Sequence, residues 1–227
     1  SGSDFNGVTS IKFMLNNEPL TGQDIENFTG VLKDGVSVSG FKKGVVNEID
    51  ITETYITEVL NTLKFKPEKS LKVGIDCLNG SAAIVLEDMA ARLPFKLVLR
   101  NTSLEKKPSN PDQFLEENIQ NIHNFIEEES LDFAFNIDTD GKKIVGVTRQ
   151  GKILYGDDLF YIIAEHYLGK SSNKNVVLDL AFGLELERKI QEMGGKVFYS
   201  ASGGGLIREK MKKVKADIGL ESRGHIY

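Results

Sequence analysis

With 227 residues, 40% hydrophobic and 27% charged, the chain is long enough to bury a sizeable core in one or two domains. A net charge of −5 and a pI near 5.4 exclude a general attraction to nucleic acid or to an anionic membrane, and basic runs such as 210–215 read as solvated helix faces. No apolar stretch approaches the roughly 20 residues that span a bilayer, and the start lacks a signal pattern.

The opening Ser1-Gly2-Ser3, without an initiator methionine, reads as an added or cut end. Ile11–Leu15 reads as a short strand, and Pro-Leu-Thr as a turn whose Thr21 caps a helix from Gln23 to Phe28. Glycine-rich residues 29–47 read as a linker into a helix capped by Thr52, with Tyr55, Ile56, Val59, Leu60 and Leu63 at helical spacing. That places a boundary near residue 45.

Leu71–Cys77 is a strand that turns at Asn79-Gly80-Ser81 into a helix over Ala82–Leu93, the strand, tight turn and helix of a βαβ unit. The lone Cys77, inside Val-Gly-Ile-Asp-Cys-Leu, is a core thiol and points to a reducing, cytoplasmic setting. Lys96–Leu99 is the next strand, 112–129 a polar helix, and Leu131–Ile137 the third strand. Ile144–Thr148 returns as its hairpin partner, followed by Ile153-Leu154 and a helix from Gly156-Asp157 through Leu168. Polar residues 169–174 read as a second linker. The pattern then restarts: strand Val176–Leu180, helix Glu185–Met193, strand Val197–Tyr199, a turn at Gly203-Gly204-Gly205, helix Leu206–Lys213 and strand Asp217–Leu220. The expected units are 1–45, a remnant and linker; 46–170, a complete α/β domain; and 171–227, a truncated one. The last two look like related βαβ domains, with no residue-level repeat strong enough to establish it.

Residues 138–143 carry the most chemistry. Asp138 and Asp140, one residue apart at the end of a buried strand, suit a divalent cation, but Lys142 stands where a third ligand would be expected. A lysine about 4 Å from a dication repels it by roughly twice the ~4 kcal/mol of two unit charges at an effective dielectric of about 20. Lys142 either replaces the metal as a counter-ion or swings outward and leaves two carboxylates for it.

The order Ile-Lys-Phe then Pro-Leu-Thr, Asp76-Cys77-Leu78-Asn79-Gly80, 136–147, Gly156-Asp157-Asp158, 206–211 and 219–226 resembles the α-D-phosphohexomutase family, the phosphoglucomutases and phosphomannomutases. The resemblance runs nearly the whole chain. It implies an α/β fold of repeated phosphohexomutase-type βαβ domains with mixed sheets flanked by helices, here the tail of a first domain, a whole second and most of a third. It also implies an isomerase activity, intramolecular phosphoryl transfer on hexose phosphates through a phosphoserine, with charge on the moving phosphoryl group stabilised by Mg²⁺ and cationic side chains.

Against the family's Asp-x-Asp-x-Asp-Arg metal loop this sequence has Asp138, Asp140, Lys142 and Lys143, so two ligands match, the third is charge-reversed and Lys143 stands at the arginine. Mg²⁺ binding is expected to be weak or absent. The phosphoserine loop is expected upstream of residue 1, because Phe5-Asn6-Gly7 resembles the Tyr-Asn-Gly that family members carry a few residues after that loop. An alternative register makes Ser3 the nucleophile, without an activating neighbour. In the family's sugar loop, Gly-Glu-x-Ser-Gly-His, Glu221, Gly224 and His225 match and Arg223 replaces the serine, either to clamp phosphate or to pair with Glu221. His225 reads equally as a packed or surface residue. The 201–205 turn fills the place of a family lysine and histidine and reads as a flexible connection; its amides offer an anion site at most.

Two functions are open: part of a phosphohexomutase, inactive as this chain alone, or a catalytically degenerate relative retained for sugar-phosphate binding or as a scaffold. The expected partner is a hexose phosphate, with neither nucleic acid nor membrane, and edges left by truncation invite self-association or missing domains.

Overall fold

The computed structural model describes residues 2–3, 9–10, 13–16, 18–20, 22–35, 40, 44–63, 67–106 and 116–227. Two antiparallel pairs open the chain, β1 (Gly2–Ser3) with β2 (Thr9–Ser10) and β3 (Met14–Leu15) with β4 (Glu18–Pro19), followed by α1 (Gln23–Asp34). The helix runs six residues beyond the expected Phe28, through Gly30, into the stretch read as linker. Asp24 and Glu26 in its first turn and Lys33 in its last complement the helix dipole, which local glycine content does not register. Residues 11–12 of the expected strand, the Thr21 cap and Phe5-Asn6-Gly7 lie outside the described residues.

In α2 (Thr52–Thr62) the sequence misplaced the cap: Asp50 Oδ1 accepts the Thr52 amide at 2.9 Å, and Thr52 is already helical. A five-stranded mixed sheet comes next, built from β5 (Lys72–Asp76), β6 (Lys96–Arg100), β7 (Phe133–Ile137), β8 (Ile144–Thr148) and β9 (Ile153–Leu154) in the order β6-β5-β7-β8-β9. Its first three strands are parallel and the last two antiparallel. Helices α3 (Ala82–Ala90) and α4 (Glu116–Glu129) flank it. Ile122, Phe125 and Ile126 of α4 meet Leu131, Ala134 and Val147 in one buried cluster.

After α5 (Asp157–Leu168) comes a second mixed sheet of β10 (Asn175–Asp179), β11 (Lys196–Ser200), β12 (Ile218–Glu221) and β13 (His225–Ile226), in the order β11-β10-β12-β13, with α6 (Leu184–Glu192) and α7 (Gly204–Val214). β13 alone is antiparallel. Phe160, Ala164 and Leu168 of α5 are buried with Val176, Leu178, Leu186, Ile190 and Leu220. Each large apolar side chain among them contributes roughly 1.5–3 kcal/mol relative to exposure. A boundary at 170 therefore cuts α5 from the sheet on which it packs. The polar 169–174 stretch marks a surface turn between that helix and β10.

The two sheets repeat one device. β5 and β10 lie between their parallel partners, and each ends in a buried aspartate, Asp76 and Asp179, whose Oδ1 accepts the amide two residues on, Leu78 at 2.9 Å and Ala181 at 3.1 Å. The intervening amides bond across to the second strand of each unit, Cys77 to the Arg100 carbonyl and Leu180 to that of Ser200. This is the residue-level repeat that the sequence alone did not resolve. Among the described residues no helix is long and apolar enough to cross a membrane.

The connection after β5 packs tightly on the loop after β7. A Cβ on Gly80 would lie 2.4 Å from Thr139 Cα and 2.6 Å from its carbonyl oxygen, while Ser81 donates its amide to that oxygen at 2.9 Å. Gly80→Ala is expected to cost about 1–3 kcal/mol through this overpacking, with an unchanged denaturant slope. Urea unfolding of the variant with wild-type stability would contradict the close approach.

Candidate functional site

The loop between β7 and β8 is held by its first carboxylate. Asp138, 7% exposed, accepts the Lys142 amide at 2.6 Å and the Lys143 amide at 2.9 Å on the same Oδ1. Its own amide reaches the Lys143 carbonyl at 3.0 Å, and the Gly141 amide returns to the Asp138 carbonyl at 2.9 Å. Gly141 has φ +70°, a conformation that favours glycine, and this lets the chain turn back toward β8.

Of the two positions open to Lys142, the structure has its ammonium on Asp140 Oδ2. Burial pushes the Asp140 carboxyl up, but hydrogen bonds with Lys142 and Asp138 and the charges of Lys142 and Lys143 outweigh it and hold its pKa below the usual value. Asp138 moves the other way: burial raises it, backed by the charge of Asp140, against the two amides that favour the ionised form. The magnesium implied by the resemblance meets, in this arrangement, one carboxylate oxygen already shared by two amides and a second carboxylate neutralised from within the loop. As placed, with Lys142 on Asp140 in the third-ligand position, the loop fits the ion poorly.

The second loop joins β12 to β13. Glu221 pairs with His225 across the turn, the Gly224 amide donates to the Glu221 carbonyl at 2.9 Å, and Gly224 has φ +100°. Glu221 is 7% exposed, and its Oε2 accepts the Tyr227 hydroxyl at 2.9 Å. His225 Nδ1 also lies 2.9 Å from that oxygen, without the alignment of a hydrogen bond, and its ring stacks on Tyr227 with centroids 6.1 Å apart. Burial, then the Glu221 contact and charge, push the Tyr227 hydroxyl far above its ordinary value, so it stays a donor. Tyr227 and His225, rather than Arg223, thus occupy the Glu221 carboxylate, while Arg223 stands exposed; a paired Arg223 is the expectation that fails. His225 is half-buried and packed.

The two loops touch. A Cβ on Gly224 would sit 3.4 Å from Lys143 Cβ and 3.5 Å from its Cγ. Asp138, Asp140, Lys142 and Lys143 are thereby brought beside the 221–225 turn. Ser3 pairs with Thr9 in the β1–β2 ladder, and its side chain lies outside the described residues. Cys77 is wholly buried, and burial, with the charges of Asp76 and Glu87, pushes its thiol up to about 12, which fits a core thiol. The glycine turn is also reassigned: Gly203 (φ +124°) precedes α7, and Gly204 and Gly205 form its first turn. Sequence reasoning passed over Tyr227 and the buried strand-end aspartates. For the latter a signal existed, since Val-Gly-Ile-Asp and Val-Val-Leu-Asp end the first strand of each repeat alike.

Residues 53–151 match the family model for phosphoglucomutase/phosphomannomutase, alpha/beta/alpha domain II, and residues 155–227 that for domain III. A phosphomannomutase/phosphoglucomutase of Pseudomonas putida is 26% identical over 227 residues, covering 99% of this chain and 48% of the relative. A phosphoglucomutase of Neisseria meningitidis is 25% identical over 226 residues, again covering 99% of this chain and 48% of its own. The chain spans about half the length of these relatives. The crystal structure of a phosphoglucomutase/phosphomannomutase family protein from Burkholderia thailandensis superposes with a TM-score of 0.83 at 23% identity, over 94% of this chain and 46% of that one.

If Lys142 is what excludes a dication, Lys142→Asp restores a third acidic ligand. Millimolar Mg²⁺ is expected to raise the melting temperature of the variant by about 3 °C or more, once it exceeds the Kd several-fold, and to leave the wild type nearly unchanged. Thermal melts with Mg²⁺ and with EDTA check this; strong magnesium stabilisation of the wild type would contradict it.

Proposed function

We propose, from the premise that this chain belongs to the phosphoglucomutase/phosphomannomutase family, that it forms the middle of a hexose-phosphate site and has no mutase turnover by itself. The contact of Gly224 with Lys143 carries the reading, because it joins the lysine end of the 138–143 loop to a turn bearing Glu221, Arg223 and His225. In the proposed complex Lys142, Lys143 and the exposed guanidinium of Arg223 take the phosphate; the arginine can do so bidentately. Glu221, oriented by Tyr227, and His225 face sugar hydroxyls. Lys143 lies beside the sugar loop and stands in the place of the family arginine.

The reading assigns no step to a divalent ion. Lys142 on Asp140 supports weak or absent Mg²⁺ binding, and it also favours the second reading, a degenerate relative that binds sugar phosphates or serves as a scaffold. The site's own cations then supply the electrostatic attraction. We place the protein in the cytoplasm, supported by the single, buried Cys77. Exposed apolar residues outside the two sheets, Phe13, Met14, Leu15, Val45 and Val46, support a covering partner, either further domains or a second copy.

Calorimetric titration with glucose 1-phosphate is expected to give saturable binding that is equal in Mg²⁺ and in EDTA and weakened about tenfold or more by Lys143→Ala combined with Arg223→Ala. Supplying glucose 1-phosphate with its bisphosphate is expected to yield no glucose 6-phosphate at enzymatic rates. Turnover by the chain alone would overturn the inactive reading, and absence of any saturable binding would overturn the site.

A further inference from the structure

Asp179 closes β10 with no solvent exposure. Its Oδ1 accepts the Ala181 amide at 3.1 Å, and its Oδ2 accepts the Ser202 hydroxyl at 2.9 Å, the Ser222 hydroxyl at 3.0 Å and the Ser222 amide at 3.3 Å. The donors come from three different connections, β10 to α6, β11 to α7 and β12 to β13. A carboxylate taken wholly out of water is tolerable only when its lone pairs are filled, so the three loops and the charge fix one another. Ser222 lies between Glu221 and Arg223.

The first sheet provides an internal comparison. Asp76 stands at the same place, is 2% exposed, and takes the Leu78 amide at 2.9 Å and the Asn101 amide group at 3.0 and 2.9 Å. Those are the counterparts of Ala181 and Ser202. The third connection of that sheet, 138–143, is fastened differently, by Ser81 donating its amide to the Thr139 carbonyl at 2.9 Å and its hydroxyl to the same oxygen at 3.2 Å. The fold thus calls for an aspartate that ties the first two connections, and the tie to the third through Ser222 is an addition of the second sheet. Two of the four bonds to Asp179 go to that addition.

We infer that Asp179 is a positioning residue: through Ser222 it sets the height and orientation of the 221–225 turn, and so the geometry with which Glu221 and His225 meet a sugar. The inference rests on the reading of that turn as sugar-binding. Removing the Ser222 hydroxyl leaves only its amide on Asp179 and loosens the turn on its β12 side, while the Glu221–His225 pairing and the Tyr227 hydroxyl still hold its base. Loss of positioning therefore differs from loss of fold.

Ser222→Ala and Asp179→Asn, made in the full 227-residue chain, separate the two. In Ser222→Ala, hydrogen exchange of the 221–225 amides is expected to quicken about tenfold while Val177 and Leu178 exchange as in the wild type. Binding of glucose 1-phosphate is expected to weaken about tenfold, and any preference between glucose 1-phosphate and mannose 1-phosphate to narrow, at a melting temperature close to that of the wild type. Asp179→Asn is expected to quicken exchange in the 201–205 and 221–225 segments together. Should Asp179→Asn fail to fold, Ser222→Ala carries the test alone. Wild-type affinity and wild-type exchange in Ser222→Ala would overturn the inference while leaving the sugar-binding reading intact; absence of hexose-phosphate binding by the wild type itself would overturn both.

Discussion

The ion pair between Lys142 and Asp140 is a bond inside a single turn of chain, and the character of the site depends on it. A metal ion arrives from solution at a concentration, whereas this ammonium is tethered two residues from the carboxylate that it neutralises. A dication entering the loop meets this ammonium's repulsion, roughly 8 kcal/mol at about 4 Å and an effective dielectric of about 20 before solvent screening of the part-exposed lysine and the opposing attraction of Asp138 and Asp140, or has to drive the lysine off its partner. Asp138 Oδ1 holds the Lys142 and Lys143 amides and so fixes the backbone from which both side chains depart. The fall in the Asp140 pKa and the rise in that of Asp138 express the same arrangement: one carboxylate has cations beside it, the other has burial and a negative neighbour.

That turn is held by its surroundings. Gly80 has no side chain where Thr139 passes, and Ser81 bonds to Thr139, so the connection after β5 presses on the connection after β7. Across the interface between sheets Gly224 leaves room for Lys143. In the second sheet a buried carboxylate, Asp179, gathers three connections where the first sheet gathers two with Asp76 and fastens the third through the amide and hydroxyl of Ser81. The repeat therefore has one strand-end aspartate and one arrangement of parallel strands about it, and its differences fall on the loops that meet the proposed ligand.

Much of this was legible in the residues. Ile144–Thr148, Ile153–Leu154 and the helix through Leu168 follow from turn residues bounding apolar runs, and the charge reversal at Lys142 is visible without coordinates. Other features were not, for identifiable reasons. The pair Gly204-Gly205 is helical here although glycine is a poor helix former, because α7 packs on β10, β11 and β12 and that outweighs about 1 kcal/mol of propensity per residue; at Gly30 the helix continues between the acidic residues of its first turn and Lys33 of its last. Thr52 looked like a cap because its residue type favours one, yet Asp50 stands two residues earlier and takes the amide. Phe160, Ala164 and Leu168 give α5 an apolar face, but periodicity does not say which sheet receives it, and the polar 169–174 segment suggested the wrong neighbour. The Tyr227 contact with Glu221 depends on β13 folding back on β12, a register that no local pattern announces.

Manganese tests the account most directly, since its ionic chemistry is close to that of magnesium and its free aquo ion gives a spectroscopic signal. In an electron paramagnetic resonance titration of the 227-residue chain, the amplitude of the free-ion signal is predicted to match buffer alone up to millimolar Mn²⁺. A saturable loss of that signal, with one ion bound per chain and abolished by Asp140→Asn, would contradict the claim that the loop's own lysine takes the place of the metal.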